Sequence, residues 1–305
     1  MDNKIKDSGF RNQVGKGTAP IFNKDGSSNV IHANKEMGID DLYSYLTCIS
    51  WSKFFLLVLI GYVSLNVIFG LIYLGIGIEQ ITKPTENLFF DFLNGFFFSA
   101  QTITTVGYGS ISPNGMQANI IATFQALIGL LSFSFITGLL YGRFSKPKSA
   151  IKFSENLVVR DFKDGRAIMF RLMNKRKSIM IEPEINVTLS INIKDENNNI
   201  KRDFYVLELE RQKVTYLPTM WTVVHEIDKK SPLFNYTKEE MYQLDANMYV
   251  MIKYHEETFG QKVYQMTNYT SKDLLIDKKF AMSYEIDENG NTIIDHKKVN
   301  DTVDM

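Results

Sequence analysis

The run TITTVGYGS, from Thr102 to Ser110, has an unusual set of residue types, because it contains no acid, base or activated nucleophile. Its side chains therefore offer no means of breaking a covalent bond. Its glycines can take backbone dihedrals that a Cβ forbids, which lets carbonyl oxygens turn inward. Four copies around an axis would stack these oxygens in rings, and such rings replace the hydration shell of a potassium ion. The run predicts a cation site made by the carbonyls of Thr105, Val106, Gly107 and Tyr108 and by the Thr105 hydroxyl.

Such a loop needs flanking membrane spans, and the sequence supplies two candidates. Residues 54–78 carry no charge, and about 20 such residues cross the bilayer core. Residues 119–142 form the second candidate, in which polar groups such as Gln125 should face a protein partner or water. Between them, the apolar residues 89–100 are too few to cross, so we expect a re-entrant pore helix and loop. The negative C-terminal end of that helix would favour a cation.

The distribution of basic residues predicts the orientation of the spans. Arg143, Lys146 and Lys148 follow the second span, whereas only Lys83 lies between the two spans. By the positive-inside tendency, both termini are cytoplasmic. Before the first span, residues 39–50 place apolar side chains on one helical face, which is typical of a helix lying in the membrane interface.

After Pro147 the hydrophobic period changes from helix to strand. In INVTLSINIK, residues 185–194, apolar and polar side chains alternate, which predicts a strand with one buried face. KDENNN and ENGN are predicted turns, and FAMSYEID, residues 280–287, is predicted as one strand. About seven short strands at this spacing favour a β-sandwich. We expect a flexible N-terminal tail in residues 1–38, an interfacial helix and two-span pore domain in 39–148, and a cytoplasmic β-sandwich domain in 149–305.

Composition argues against other classes of function. The 34 basic and 34 acidic residues cancel, so net charge gives no support to a nucleic-acid partner. A single cysteine, Cys48, excludes an internal disulfide framework and a cysteine metal cluster. The four histidines have no ligand spacing, and no nucleophile and base form a pair. We therefore expect neither an enzyme nor a cofactor.

Three motifs resemble the inward-rectifier potassium channel family, in particular its prokaryotic members. They are FFFSAQTITTVGYG, the RFSKPK exit of the second span and WTVVHEIDKKSPLF in the strand-rich half. The resemblance implies two transmembrane helices and a re-entrant pore helix, followed by an all-β immunoglobulin-like sandwich. It also implies a homotetramer in the cell membrane that conducts K⁺ passively, and only this resemblance implies a gating role for the domain in 149–305. The implied selectivity filter is Thr105, Val106, Gly107, Tyr108 and Gly109.

The resemblance also assigns roles along the pore. Tyr141 matches the gate where the inner helices converge, Gly129 matches the hinge glycine midway along the inner helix, and Gly138 matches a small residue near the end of that helix. Phe133 stands where strong rectifiers carry an acid, so we expect weak rectification. Glu182 matches an acid of the cytoplasmic pore. For all of these residues except Phe133, a simpler explanation also remains open. The two glycines could serve close helix packing, the tyrosine could belong to the aromatic belt at the membrane interface, and the glutamate could be a solvated residue at a strand end.

Two further positions bear on regulation and on the filter. Arg143, Lys146 and Lys148 match basic residues that meet anionic lipid head groups, although they also fit positive-inside topology alone. Gln101 stands where family members often carry a glutamate that braces the filter. Two other hypotheses therefore stay open. The pore could discriminate poorly between potassium and sodium, or the chain could be a membrane-anchored sensor whose β-sandwich is the active part.

Overall fold

The computed structural model describes residues 4–5, 20–34, 38–147, 149–194 and 200–305. The chain divides into two compact units. The pore unit consists of residues 34–146, and the β unit consists of residues 1–33 and 147–305.

The pore unit is helical. Its helices are α1 (Ile39–Cys48), α2 (Trp51–Ile76), α3 (Leu88–Ile103) and α4 (Met116–Ser145). Among the described residues, α2 and α4 are long and apolar enough to cross a membrane. Helix α2 begins three residues before its predicted span and ends two residues before the predicted end, and α4 extends three residues beyond its predicted span at each end. The short α3 between them coincides with the predicted pore helix.

The two helices α2 and α3 pack with their backbones in contact. A Cβ on Gly70 would lie 3.1 Å from the backbone nitrogen of Phe96, and a Cβ on Gly95 would lie 2.9 Å from the carbonyl oxygen of Gly70. Small residues permit this close approach in membrane helices. Behind the contact, a cluster of buried apolar side chains joins α2, α3 and α4: Phe69, Tyr73, Ile78, Ile81, Phe98, Ile103 and Ala118.

The β unit contains fourteen strands among its described residues and one short helix, α5 (Lys238–Gln243). The strands are β1 (Ile151–Phe153), β2 (Leu157–Phe162), β3 (Gly165–Asn174), β4 (Met180–Lys194), β5 (Ile200–Leu207), β6 (Tyr216–Leu217), β7 (Met220–Ile227), β8 (Ala246–Glu256), β9 (Gln261–Thr270), β10 (Leu274–Ile276), β11 (Lys278–Phe280), β12 (Tyr284–Ile286), β13 (Thr292–Ile294) and β14 (Thr302–Asp304).

Two five-stranded sheets form the body of this unit. One has the order β1-β3-β2-β10, with β7 also paired to β3, and the other has the order β5-β4-β8-β9, with β6 paired to β4. All pairs within these sheets are antiparallel except that of β10 with β2. The inward faces of both sheets contribute to one apolar core, for example Leu172 from β3 and Val187 from β4. The predicted sandwich is therefore present, and the alternation of β4 explains which face is buried.

One predicted strand is wrong. Residues 280–287 do not form a single strand, because β11 ends at Phe280 and β12 begins at Tyr284. In the interruption, the Ala281 amide donates to the Asp301 carbonyl (2.9 Å), and Ser283 accepts from the buried Arg171 guanidinium (3.0 Å). The predicted strand is divided because its two parts pair with different strands, β11 with β14 and β12 with β13. The predicted turn at ENGN does connect β12 to β13, whereas most of the KDENNN turn lies outside the described residues.

The described part of the N-terminal segment is attached to the β unit. The ring of Phe22 contacts Tyr249 on β8 edge-to-face, with 6.1 Å between centroids, and Lys24 pairs with Asp273 at 2.5 Å. The flexible tail predicted for residues 1–38 lies largely outside the described residues, and within the described part Phe22 and Lys24 contact the β-sandwich.

Candidate functional site

The pore helix α3 is held at its N-terminus by side-chain caps. The Asn87 side chain accepts a hydrogen bond from the Phe89 amide (2.8 Å), which satisfies one of the free N–H groups of a helix start. The buried carboxylate of Asp91 accepts from both the amide and the hydroxyl of Thr85, at 2.7 and 2.9 Å. An acid in the first turn also complements the helix dipole. These contacts fix the end of α3 that lies away from the filter segment.

At its other end, α3 leads directly into the filter segment. The amides of Thr104, Thr105 and Val106 donate to carbonyls in the last turn of α3, at 3.2, 3.1 and 3.0 Å. The backbone of the filter segment is thus an extension of the pore helix. Any displacement of the last turn of α3 must displace these three residues as well.

The filter segment has a backbone that is neither helix nor strand. Thr105, Gly107 and Gly109 have positive φ values of 58°, 55° and 83°. Positive φ thus recurs at every second residue, since neither Val106 nor Tyr108 shares it. Positive φ is easy for glycine and unfavourable for threonine. This alternation allows successive carbonyls to face the same side, as a cation site made from backbone oxygens requires.

The side chains of the filter segment are exposed in a single chain. Tyr108 is 77% exposed and Val106 is 51% exposed. The ring contacts of α3 run among its own phenylalanines and to Tyr73. Among the described residues of one chain, no aromatic ring packs against Tyr108.

The helix α4 carries the residues predicted for the pore lining and the gate. Phe133 and Tyr141 are 71% and 75% exposed. Since they are eight residues apart, they lie on one face of the helix. Gly138 is open, with no atom within 4 Å of a Cβ built on it. Gly129 differs, because its Cβ would lie 2.4 Å from the carbonyl oxygen of Ile103. At Gly129 the observed contact is close packing of α4 against the end of the pore helix.

Arg143, in the last turn of α4, points at the interfacial helix α1. Its guanidinium donates to the carbonyls of Leu46 (2.5 Å) and Ile49 (2.7 Å), which are among the free carbonyls of the α1 C-terminus. The same group lies 4.4 Å from the ring centroid of Trp51 and 4.6 Å from that of Phe54, within the range of a cation–π interaction. The guanidinium that was predicted to bind lipid therefore makes its described contacts within the protein.

The remaining basic positions differ in their surroundings. Lys146 is exposed, and its Nζ lies 3.1 Å from the Cys48 sulfur. That hydrogen bond, followed by the charge of Lys146, lowers the pKa of the Cys48 thiol despite the opposing effect of burial. Lys148 lies outside the described residues. Of the three residues predicted to contact lipid, Lys146 is therefore the one that is both described and exposed.

Comparison with known proteins places this geometry in a family. The family model described as "Inward rectifier potassium channel C-terminal domain" matches residues 151–305, and the model "Ion channel" matches residues 53–146. The "Inward rectifier potassium channel Kirbac3.1" of Paramagnetospirillum magnetotacticum is 33% identical over 258 residues, which cover 84% of this chain and 86% of that protein.

The chain belongs to the inward-rectifier potassium channel family.

More distant relatives include the "Inward rectifier potassium channel 18" of Homo sapiens and the "ATP-sensitive inward rectifier potassium channel 12" of Mus musculus. Both are 24% identical over 280 residues, or 84% of this chain, and the match spans 64% and 65% of their own lengths. A solved Pseudomonas fluorescens alkylpurine DNA glycosylase AlkC aligns with 58% of this chain and 45% of its own at 10% identity. Its TM-score of 0.18 is too low to inform the fold.

Membership of the inward-rectifier family confirms the resemblance and the expected class of protein. The family is one of ion channels and not of enzymes. With α2 and α4 as candidate spans, the chain is a membrane protein.

The predicted cytoplasmic acid of this inward rectifier is charge-paired. Glu182 occupies a bulge of β4 with a positive φ of 48°, and its carboxylate lies 2.9 Å from the Lys213 ammonium. The hydrogen bond from Lys213 lowers the pKa of Glu182. The nearby Glu184 is paired in the same way with Lys253 at 2.9 Å. The side chain of Glu182 is largely exposed, but a lysine compensates its charge.

The family signature WTVVHEIDKKSPLF folds around a buried histidine. His225 contacts the Glu208 carbonyl with Nδ1 (2.6 Å) and the Ser231 hydroxyl with Nε2 (2.9 Å). Since a carbonyl can only accept, Nδ1 carries the proton and Nε2 accepts from the serine. Burial is the main effect that lowers the pKa of His225. Ser231 begins a turn in which its own hydroxyl accepts from the Leu233 amide (3.2 Å). The described contacts of the signature are therefore structural.

Proposed function

We propose that the chain assembles as a homotetramer that conducts potassium ions selectively and passively. The carbonyls of Thr105, Val106, Gly107 and Tyr108, together with the Thr105 hydroxyl, would replace the ion's hydration shell. The observation that carries this proposal is the alternation of positive φ at residues 105, 107 and 109, at the C-terminal end of a capped pore helix. Potassium is the permeant ion, and the proposal requires no cofactor.

Assembly into a tetramer is supported by two surfaces that are exposed in a single chain. The filter segment and the face of α4 that holds Phe133 and Tyr141 are exposed. A closed ring of copies is the symmetric arrangement that would turn one exposed face of each chain to a common axis. In that ring Tyr141 would form the gate by steric block and dewetting, with Gly138 as the open position at which α4 could bend.

Topology and lipid dependence complete the proposal. Both termini would be cytoplasmic in a plasma membrane, because the basic residues follow α4 and not the loop between the spans. Anionic head groups would bind at Lys146 and Lys148. Rectification would be weak, because Phe133 carries no charge and Glu182 is paired with Lys213.

Ion flux into liposomes tests the proposal. We expect the purified protein to take up rubidium, to exclude sodium and to be blocked by barium. Gly107→Ala should reduce uptake at least about tenfold, because an alanine at positive φ is strained by about 1–2 kcal/mol in every copy. Gly75→Ala is the matched control, because Gly75 lies in the last turn of α2 with no atom within 4 Å of its Cβ and no positive φ.

A poorly selective pore is the second candidate, and one observation favours it. The buried Oε1 of Gln101, in the last turn of the pore helix, has no hydrogen-bond partner in the described part of the chain. Equal rubidium and sodium flux with barium sensitivity would favour this second candidate. A protein that passes neither ion in neutral or anionic liposomes would contradict both.

A further inference from the structure

We infer that a buried chain of hydrogen bonds joining α2, α3 and α4 positions the pore helix and so sets the selectivity of the filter. The inference rests on the proposed function. Its members are Tyr73 and Asn66 on α2, Ser99 on α3 and Gln125 on α4, and all four are fully buried. They are neutral, and none of them was singled out as a site residue by the sequence.

The hydrogen bonds run in one direction. The Tyr73 hydroxyl donates to Gln125 Oε1 (2.6 Å), and Gln125 Nε2 donates to the Ser99 hydroxyl (2.6 Å) and the Ser99 carbonyl (3.0 Å). The Ser99 hydroxyl donates to Asn66 Oδ1 (2.7 Å), and Asn66 Nδ2 donates to the Tyr62 carbonyl (2.8 Å). The chain thus begins and ends on α2 and passes through both other helices.

Aligned hydrogen bonds polarise one another, and in a low-dielectric interior an unpaired polar group is costly. Both hydroxyl hydrogens and both hydrogens of the Gln125 amide are used in bonds between helices. The network therefore defines one relative position of the three helices better than apolar packing alone, because a shift of about 1 Å would break several bonds together.

The network is connected to the filter through the last turn of the pore helix. Ser99 lies one residue before Ala100, whose carbonyl accepts from the Thr104 amide. Gln101 and Thr102 provide the acceptors for the next two filter amides. Ser99 is thus the point at which α2 and α4 hold the turn from which the filter extends. The Gln101 Oε1 has no hydrogen-bond partner among the described residues, so within the described chain the side-chain hydrogen bonds that hold this turn to other helices are those of the network.

The test compares rubidium and sodium uptake by tetramers of Gln125→Leu, Ser99→Ala and Tyr73→Phe. Thr123→Val is the matched control, because the Thr123 hydroxyl donates to the Asn119 carbonyl of its own helix (2.8 Å). We expect the rubidium-to-sodium ratio to fall about threefold or more in Gln125→Leu and Ser99→Ala, in the range of interhelical hydrogen bonds in membranes. Tyr73→Phe should have a smaller effect, since the phenyl ring retains its edge-to-face contact with Phe98. The control should keep the wild-type ratio.

The double variant Tyr73→Phe with Gln125→Leu separates positioning from stability. Removing both partners relieves the unpaired hydroxyl, so the thermal stability of the tetramer should recover towards wild type while the ion ratio stays low. A purely structural role would instead reduce the yield of tetramer and leave the ratio unchanged, and that result would overturn the inference.

The remaining outcomes are also decisive. If Gln125→Leu does not assemble, Ser99→Ala and Tyr73→Phe carry the test, and wild-type ratios in both would overturn the inference. A selective wild type with unaltered variants refutes the network's role alone. A wild type that admits sodium as readily as rubidium refutes the proposed function and this inference with it.

Discussion

The contact between Arg143 and α1 yields a prediction that distinguishes an anchor from a lipid site. Arg143→Lys keeps the positive charge at the end of α4 but replaces a planar group with five donors by a compact ammonium. The guanidinium bridges the carbonyls of Leu46 and Ile49 and lies over two aromatic rings. A lysine of similar reach can serve one of these carbonyls but not both, and it cannot stack in the same way.

The expected cost follows from those contacts. One charge-assisted hydrogen bond contributes about 1.5–3 kcal/mol, and an exposed cation–π contact contributes about 0.5–1 kcal/mol. Allowing for partial replacement by the lysine, we expect the free energy of local opening of α1 to fall by about 2 kcal/mol. Since 1.4 kcal/mol is a factor of ten, the amides of α1 should exchange with solvent about thirtyfold faster.

Hydrogen exchange measured by mass spectrometry on the peptide covering residues 39–50, in lipid nanodiscs, is the assay. The acceleration should be the same in neutral and anionic lipid, because the carbonyl partners belong to the protein. Lys146→Gln is the comparison, since Lys146 is exposed and contacts Cys48. It should leave exchange in α1 nearly unchanged and alter the response to anionic lipid.

The reasoning is refuted if Arg143→Lys exchanges within threefold of wild type in both lipids. The lipid role predicted from the sequence would then be the better account, in particular if Arg143→Gln lost its response to anionic lipid alone.

Three further predictions concern packing, charge and pH. Gly129→Ala should lower rubidium uptake and selectivity more than the control Gly75→Ala does, measured in the same liposome assay. The reason is that the new Cβ would overlap the Ile103 carbonyl, and overpacking costs about 1–3 kcal/mol. Lys213→Gln should free the charge of Glu182 and strengthen block by internal spermine a few-fold at low salt, and recordings from bilayers should show no such gain when Glu182→Gln is added. The pKa of His225 is lowered by burial, so below about pH 6.5 the unfolded state binds more protons than the folded state. The contribution of neutral His225 to folding stability is therefore complete above that pH and falls as the pH drops towards the folded-state pKa. Thermal melts at pH 7.5 and 5 should diverge by less in His225→Gln than in the wild type.

Much of the pore unit could be predicted because its chemistry is local. An uninterrupted apolar run specifies a span by its length, and the runs around residues 54–78 and 119–142 correspond to α2 and α4. Gln125 was expected to face a protein partner or water, and it contacts Tyr73 and Ser99. Its partners could not be read from the sequence, because they lie 52 and 26 residues away and nothing in their spacing connects them.

The β unit could also be predicted only in part from the sequence. The alternation over residues 185–194 predicted β4, whose pattern is set by one buried face. The strand β2 was missed, since its first three residues are all buried and do not alternate, and its parallel partner β10 is too short to give a pattern of its own. The break after Phe280 depends on distant residues, because β11 pairs with β14 and β12 pairs with β13, while Arg171 donates to Ser283 between them. The Arg143 anchor had a weak signal in the sequence, namely an arginine at one helix end and Trp51 at the start of another.

The assignment of residues 1–33 and 147–305 to one compact unit has a mechanical consequence. The chain leaves the β unit before α1 and returns to it after α4, so the pore unit is an insertion tethered at both ends. The two units are therefore joined by two covalent links, one before α1 and one after α4. If a protease cut the first tether between residues 34 and 38, Phe22 and Lys24 would still hold the N-terminal fragment on the β unit. The cut would leave α4 as the covalent path by which the β unit could act on the pore.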